Sequence, residues 1–233
     1  MDKDKQLIFV VPFPSWERLY LFLGGSEMEM IQETIMYFHK GGLVMWPLLF
    51  CSFAVFAIAI ERFLFYKSAD SGEKFKNDYC SLLSENNLQT AKELAQNTPG
   101  QIAEILFKAA DNAKTQEDLV DYLENEMDIL TALLKNKLDY LSIIVTMSPL
   151  LGLLGTIVGM IGAFSIFNVQ AGAPMAITGG IGEALIATAS GLCVAIVSLC
   201  FHSYFTHRMD NIITNTGRCA TALIQANKRS MQK

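Results

Sequence analysis

Between Asp139 and Glu183 the chain runs for 43 consecutive residues without a charged side chain, and 18 more, Ala184–Phe201, follow Glu183 before His202. A membrane span needs about 20 apolar residues, whereas the core of a water-soluble domain never needs an unbroken stretch of this length. The run therefore admits a pair of spans and excludes an ordinary soluble enzyme. Composition agrees: 18% of the chain is charged, against about 25% in soluble domains. The net charge of −5 offers no basic surplus for nucleic acid.

Three segments qualify as spans. The first covers 41–66, and its apolar part ends at the charged pair Glu61–Arg62, which marks the cytoplasmic boundary. The second covers 139–168 and the third 179–205. The link 169–178 holds Gly172 and Pro174, which break helix, and is too short for a domain. Spans two and three thus form an antiparallel hairpin. Orientation follows from the bases near the span ends. Arg62, Lys67, Lys135, Lys137 and Arg208 fall on one side and Lys40 alone on the other. This puts 67–138 and the C-terminal stretch 206–233 in the cytoplasm, with the N-terminal segment 1–40 outside. Within that segment Ile31, Ile35 and Phe38 share one helical face, as expected of a short helix in the outer interface. No A-x-A-like site marks a cleaved signal peptide.

The region 67–138 reads as helical. Thr98-Pro99-Gly100 marks a turn, and Thr115 with Asp118 fits a capping box. From Leu119 an apolar stripe recurs at steps of three and four through Leu123, Met127, Leu130, Leu134, Leu138, Leu141 and Val145, with no Gly or Pro before Pro149. The pattern predicts one helix from Gln116 to Phe167. After span three Met209, Ile212, Ile213, Thr216 and Cys219 continue the same way. The fold class is all-α: a three-span membrane protein whose second and third spans extend into a cytoplasmic helical bundle.

No nucleophile–base pair and no metal-ligand spacing is present, and the five cysteines include no C-x-x-C. Neither an enzyme nor a metal or other cofactor is expected. Two constellations remain. Glu183 is the only Asp, Glu, Lys, Arg or His between Asp139 and His202, and an acid inside a span costs about 2.5–3.5 kcal/mol. It must be protonated, hydrated in a cavity, paired with another subunit, or close enough to the outer interface to reach water. Small residues form the second constellation. Gly152, Gly155, Gly159 and Gly162 line span two, while Ala184, Ala187 and Gly191 line span three. Such stripes let helices approach closely in lipid. Thr156 and Thr188 lie on these faces at similar depth near the bilayer midplane. Two hydroxyls with an acid above them suggest a wettable path. The stripes alone would equally serve a non-conducting scaffold that assembles single-span partners. A solute transporter fits less well, since no inverted repeat is present.

The motifs GGLVMWPLL and ERFLFY around span one, SPLLGLLGTIVGMIGAF in span two and GGIGEALIATASGLCVAI in span three resemble the MotA/TolQ/ExbB proton channel family, in its ExbB/TolQ branch. The resemblance departs where Val158 replaces a common Trp and where Val197-Ser198 follows Ala195-Ile196 in place of a Pro. It implies an inner-membrane motor subunit, a homopentamer around a dimer of ExbD/TolR-like single-span chains, working on a TonB- or TolA-like protein. It further implies that Thr156 and Thr188 face an aspartate of the partner and that Glu183 is the family's glutamate. The lack of further acidic ligands favours protons over sodium ions.

Overall fold

The computed structural model describes residues 41–112, 115–169 and 174–231, with the side chains of 166–177 left aside. The expected interfacial helix around Ile31, Ile35 and Phe38, together with Lys40, lies outside the described residues, as does the middle of the link between spans two and three, 170–173. Among the described residues every regular element is a helix: α1 (Met45–Ala69), α2 (Glu73–Ser84), α3 (Leu88–Asn97), α4 (Gln101–Asn112), α5 (Gln116–Lys135), α6 (Leu138–Val169) and α7 (Pro174–Met231). Three helical stretches are long and apolar enough to cross a membrane, beginning at Met45, Gln116 and Thr178.

The long helix α7 is the spine. Its 58 residues rise about 87 Å at 1.5 Å per residue, and it packs against α1, α2, α4, α5 and α6. One face stays buried along that length: Ala184, Ala187, Gly191, Ala195, Ser198, Phe205, Ile212, Thr216, Cys219, Leu223 and Ala226 recur at steps of three, four and seven. A repeat near 3.5 keeps one seam turned toward a neighbouring helix. The seam therefore runs without interruption from the membrane hairpin into the bundle. Its lower partners are large, with Leu119, Leu123, Leu130 and Leu134 of α5 and Tyr79 and Leu83 of α2 joining one core with Phe205 and Ile212. In the spans the outward faces stay apolar and exposed, with Phe50, Phe53 and Phe63 on α1 and Leu150, Leu153 and Ile161 on α6. Exposed apolar surface of this extent marks contact with lipid or other subunits.

The capping box forms at the start of α5. Thr115 Oγ1 accepts from the Asp118 amide and Asp118 Oδ2 from the Thr115 amide, each at 3.1 Å. Thr98-Pro99-Gly100 separates α3 from α4, with Gly100 at φ +128°. The predicted single helix from Gln116 to Phe167 does not form. It breaks at Asn136–Lys137, where Lys137 adopts φ +66°, although the apolar stripe runs on through Leu134, Leu138 and Leu141, all buried. The cause lies in another helix, as the next subsection describes.

Where α1 meets the bundle, Asp70 gathers three partners. Its carboxylate, 5% exposed, lies 2.7 Å from Lys76 Nζ and 2.6 Å from Arg208 Nη2, and accepts from the Gly72 amide at 3.1 Å. Burial pushes the Asp70 carboxyl up, but the hydrogen bonds from Lys76 and Gly72 and the charges of Lys76 and Arg208 outweigh it, holding it below its ordinary value. A depressed native pKa gives stability that is present above the unfolded value, about 4, and lost as pH falls through the native one. Asp70→Asn should therefore lower stability at pH 7 by about 2 kcal/mol. The gap to the wild type should close below about pH 4, read as thermal unfolding by circular dichroism in detergent between pH 3 and 7. A gap that stays constant across that range would contradict the assignment.

Candidate functional site

The α6–α7 hairpin is held by backbone approaching backbone. A Cβ placed on Gly152 would lie 3.0 Å from Thr188 Cα and 3.1 Å from the Ala187 carbonyl oxygen. On Gly155 it would lie 2.5 Å from Ala187 Cβ, and on Gly159 3.1 Å from Ala184 Cβ. At Gly191 the obstacles are themselves main chain, the Ser148 carbonyl oxygen at 2.6 Å and Gly152 Cα at 3.0 Å. Ala184, Ala187 and Gly191 are buried. Gly162 behaves differently: a Cβ there meets nothing within 4 Å, so Gly162 packs against no described residue of this chain.

This register sets the depth of the two threonines. Gly155 faces Ala187, so Thr156 and Thr188, each one residue further along its own helix, sit at about the same level. Their hydroxyls are used differently. Thr188 Oγ1 donates across the interface to the Gly152 carbonyl at 3.0 Å, whereas Thr156 Oγ1 donates to Leu153 on its own helix at 2.6 Å. Thr156 therefore follows the common habit of hydroxyls in membrane helices. In both cases the proton is committed and the oxygen keeps acceptor capacity. Both residues are half-buried.

Glu183, also half-buried, stands five residues before Thr188, about 7.5 Å along the axis. A Cβ at Gly42, which has φ +71°, would run into Glu183 Oε1. The carboxylate thus lies over the Gly41–Gly42 turn that leads into α1, whose first amides carry the positive end of the helix dipole. Glycine serves Gly42 twice here, through its left-handed backbone and through the room it leaves for the acid.

Two further hydroxyls lie on the same seam and escape a reading focused on threonine. Ser148 is fully buried, and its Oγ has no hydrogen-bond partner among the described residues. Ser198, equally buried, donates to the Leu141 carbonyl at 3.2 Å. The signal for Ser148 was its place one turn before Gly152 on the small-residue stripe.

The pair Glu61–Arg62, expected only to mark a boundary, does more. Arg62, 3% exposed, donates through Nη1 to the Leu133 carbonyl at 3.0 Å and the Asn136 carbonyl at 2.9 Å. Its Nε and Nη2 hold Glu61 at 3.1 and 2.7 Å. Glu61 also meets Lys137 Nζ at 3.1 Å, and Tyr66 donates to the Leu134 carbonyl at 2.7 Å. Two side chains of α1 thereby cap the end of α5, where helical carbonyls lose their intrahelical partners. That cap compensates for the left-handed Lys137.

Comparison with known proteins bears on this same stretch. The sequence pattern of the MotA/TolQ/ExbB proton channel family matches residues 94–217, which contain the whole hairpin seam from Ser148 to Ser198. An ExbB-like biopolymer transport protein (ExbB-like 3) of Synechocystis sp. is 35% identical over 170 residues, spanning 71% of this chain and 81% of its own. A second from the same organism (ExbB-like 1) is 32% identical over 208 residues, 85% of this chain and 80% of its own. An ExbB homolog of Methanothermobacter thermautotrophicus is 34% identical over 100 residues, 43% of this chain and 36% of its own.

Proposed function

From the premise that this chain belongs to the MotA/TolQ/ExbB proton channel family and is ExbB-like within it, we propose that it is the multi-span subunit of a proton-driven motor in a bacterial inner membrane. In this reading the N-terminus is outside and the helical bundle cytoplasmic. Copies of the chain, five in the arrangement the family resemblance implies, surround a dimer of an ExbD/TolR-like single-span protein. A TonB- or TolA-like protein receives the mechanical work. One elementary charge crossing 100 mV releases about 2.3 kcal/mol, so a few protons suffice to drive a step.

The observation that carries the reading is the pair Thr156 and Thr188 at one depth on the seam, in spans that offer a single acid. A relay across the bilayer needs several ionisable groups, and Glu183 alone cannot supply them. The titrating carboxylate must then come from another polypeptide. The hydroxyl oxygens suit a receiving role: their own protons go to Leu153 and Gly152, leaving lone pairs to accept from a protonated carboxyl. Glu183, over the Gly42 turn, polarises the outer mouth.

A non-conducting scaffold is the second reading, favoured by the fact that both hydroxyls already have partners within the chain. Proton flux separates the two. Proteoliposomes holding this chain and its single-span partner should carry a proton current under an imposed potential. Thr156→Val and Thr188→Val should reduce it at least tenfold while the complex still assembles. Thr188→Ser keeps the oxygen and the bond to Gly152, and should retain most of the flux. Full current in both valine variants would leave the scaffold as the better account.

A further inference from the structure

On the outer side of the hairpin, α1 and α7 part to leave a trough of about 530 Å³, walled by Phe56, Ile60 and Phe63 of α1 and by Cys200, Phe201 and Tyr204 of α7. Its lining is almost wholly apolar. Beside it, toward the bundle, lies a second recess of about 210 Å³. Phe63, Tyr204 and Phe205 line both cavities, so the two adjoin along the protein surface. The second recess adds Tyr66, Lys67 and Arg208. Lys67 is exposed and makes no ion pair among the described residues. Arg208 is bound to Asp70, but Asp70 also holds Lys76, so that cluster keeps one net positive charge. The apolar part lies beside the last turns of span one, and the cationic part just past Glu61–Arg62, where chain and bilayer surface meet.

We propose that these adjoining cavities bind an anionic phospholipid of the leaflet next to the helical bundle, with one acyl chain in the trough and the phosphate between Lys67 and Arg208. The chemistry is complementary at both ends. Aromatic and aliphatic walls take a hydrocarbon chain, and basic side chains at a membrane surface attract acidic headgroups. A second copy of this chain suits the trough poorly. Close helix approach in lipid uses small residues, and here the walls are large aromatics while the small-residue stripes of this chain are occupied by the α6–α7 contact. The proposal rests on the three spans and is independent of the roles of Thr156 and Thr188.

Native mass spectrometry of the delipidated protein in detergent, titrated with dioleoylphosphatidylglycerol or dioleoylphosphatidylcholine, provides the test. The anionic lipid should bind at about one molecule per chain and at least fivefold more tightly than the zwitterionic one. Lys67→Ala, at an exposed position that disturbs no packing, should erase most of that preference while leaving phosphatidylcholine binding unchanged. Cys200→Trp, which fills the trough, should weaken both lipids, and Ile60→Trp replaces it if that variant does not fold. Equal binding of the two lipids, or a preference that survives Lys67→Ala, overturns the proposal. So does a trough covered by a second copy, seen as Cys200 shielded from a maleimide in delipidated protein.

Discussion

Gly191→Val should be the most damaging single substitution in the membrane hairpin, costing about 3 kcal/mol or more. The reason is what its side chain would strike. The first carbon beyond the backbone would already stand 2.6 Å from the Ser148 carbonyl oxygen and 3.0 Å from Gly152 Cα. Both obstacles are main chain, so no rotamer change relieves the contact. The helices must move apart, and in doing so they stretch the Thr188–Gly152 hydrogen bond one turn away. Association of helices in lipid depends on close packing rather than on a hydrophobic drive, so little else replaces the lost contact. Gly191→Ala should show the same effect at a smaller size, and Gly162→Ala should be nearly silent in the isolated chain because a Cβ there meets nothing within 4 Å. Unfolding in mixed detergent and dodecyl sulfate, followed by circular dichroism, ranks the three. An unchanged midpoint for Gly191→Val would mean that the hairpin is packed elsewhere.

Arg62→Ala should cost about 3 kcal/mol, although it removes a side chain from a boundary where an arginine is ordinarily dispensable. Its guanidinium is buried and divided among three groups: the carbonyls of Leu133 and Asn136 and the carboxylate of Glu61. Removing it leaves two carbonyls at the end of α5 without a donor, while Glu61 retains Lys137 at 3.1 Å. The left-handed turn at Lys137 then loses most of its support. Hydrogen exchange should rise locally over residues 130–140, and thermal stability should fall with it. Arg62→Lys should rescue little, because an ammonium is a point donor and cannot span carbonyls and carboxylate as the planar fork does. Rescue by lysine, or exchange that rises uniformly along the chain, would refute the capping role.

These two sites differ in how far they could be read from the amino acids. The stripe of Gly152, Gly155 and Gly159 against Ala184, Ala187 and Gly191 follows from spacing, because a helix places every third and fourth residue on one face and lipid leaves small residues few other purposes. Gly162 shows the limit of that argument. It continues the spacing, but the contact face steps from Gly159 to Ala163, which is buried and meets Gly180, and only the packing of the two helices decides that. The break at Asn136–Lys137 was hidden for a different reason. Neither residue forbids helix, and the leucine stripe keeps its step through the interruption, so local preference and periodicity both favour continuity. The deciding groups, Arg62 and Tyr66, lie about seventy residues earlier in the chain.

Glu183 divides in the same way. That an acid stands alone in two apolar spans is a property of the chain written out in order, and with it come the need for compensation and the expectation of a carboxylate from elsewhere. That the compensation includes the Gly42 turn of another span depends on the folded packing. The amino acids alone determine how many times this protein crosses the bilayer and which faces of its helices are small, because apolar length and periodicity are properties of a single helix in lipid. Which carbonyls are capped, where a helix breaks, and what the acid leans on were decided only by the tertiary structure, because each depends on groups distant in sequence meeting within hydrogen-bond reach.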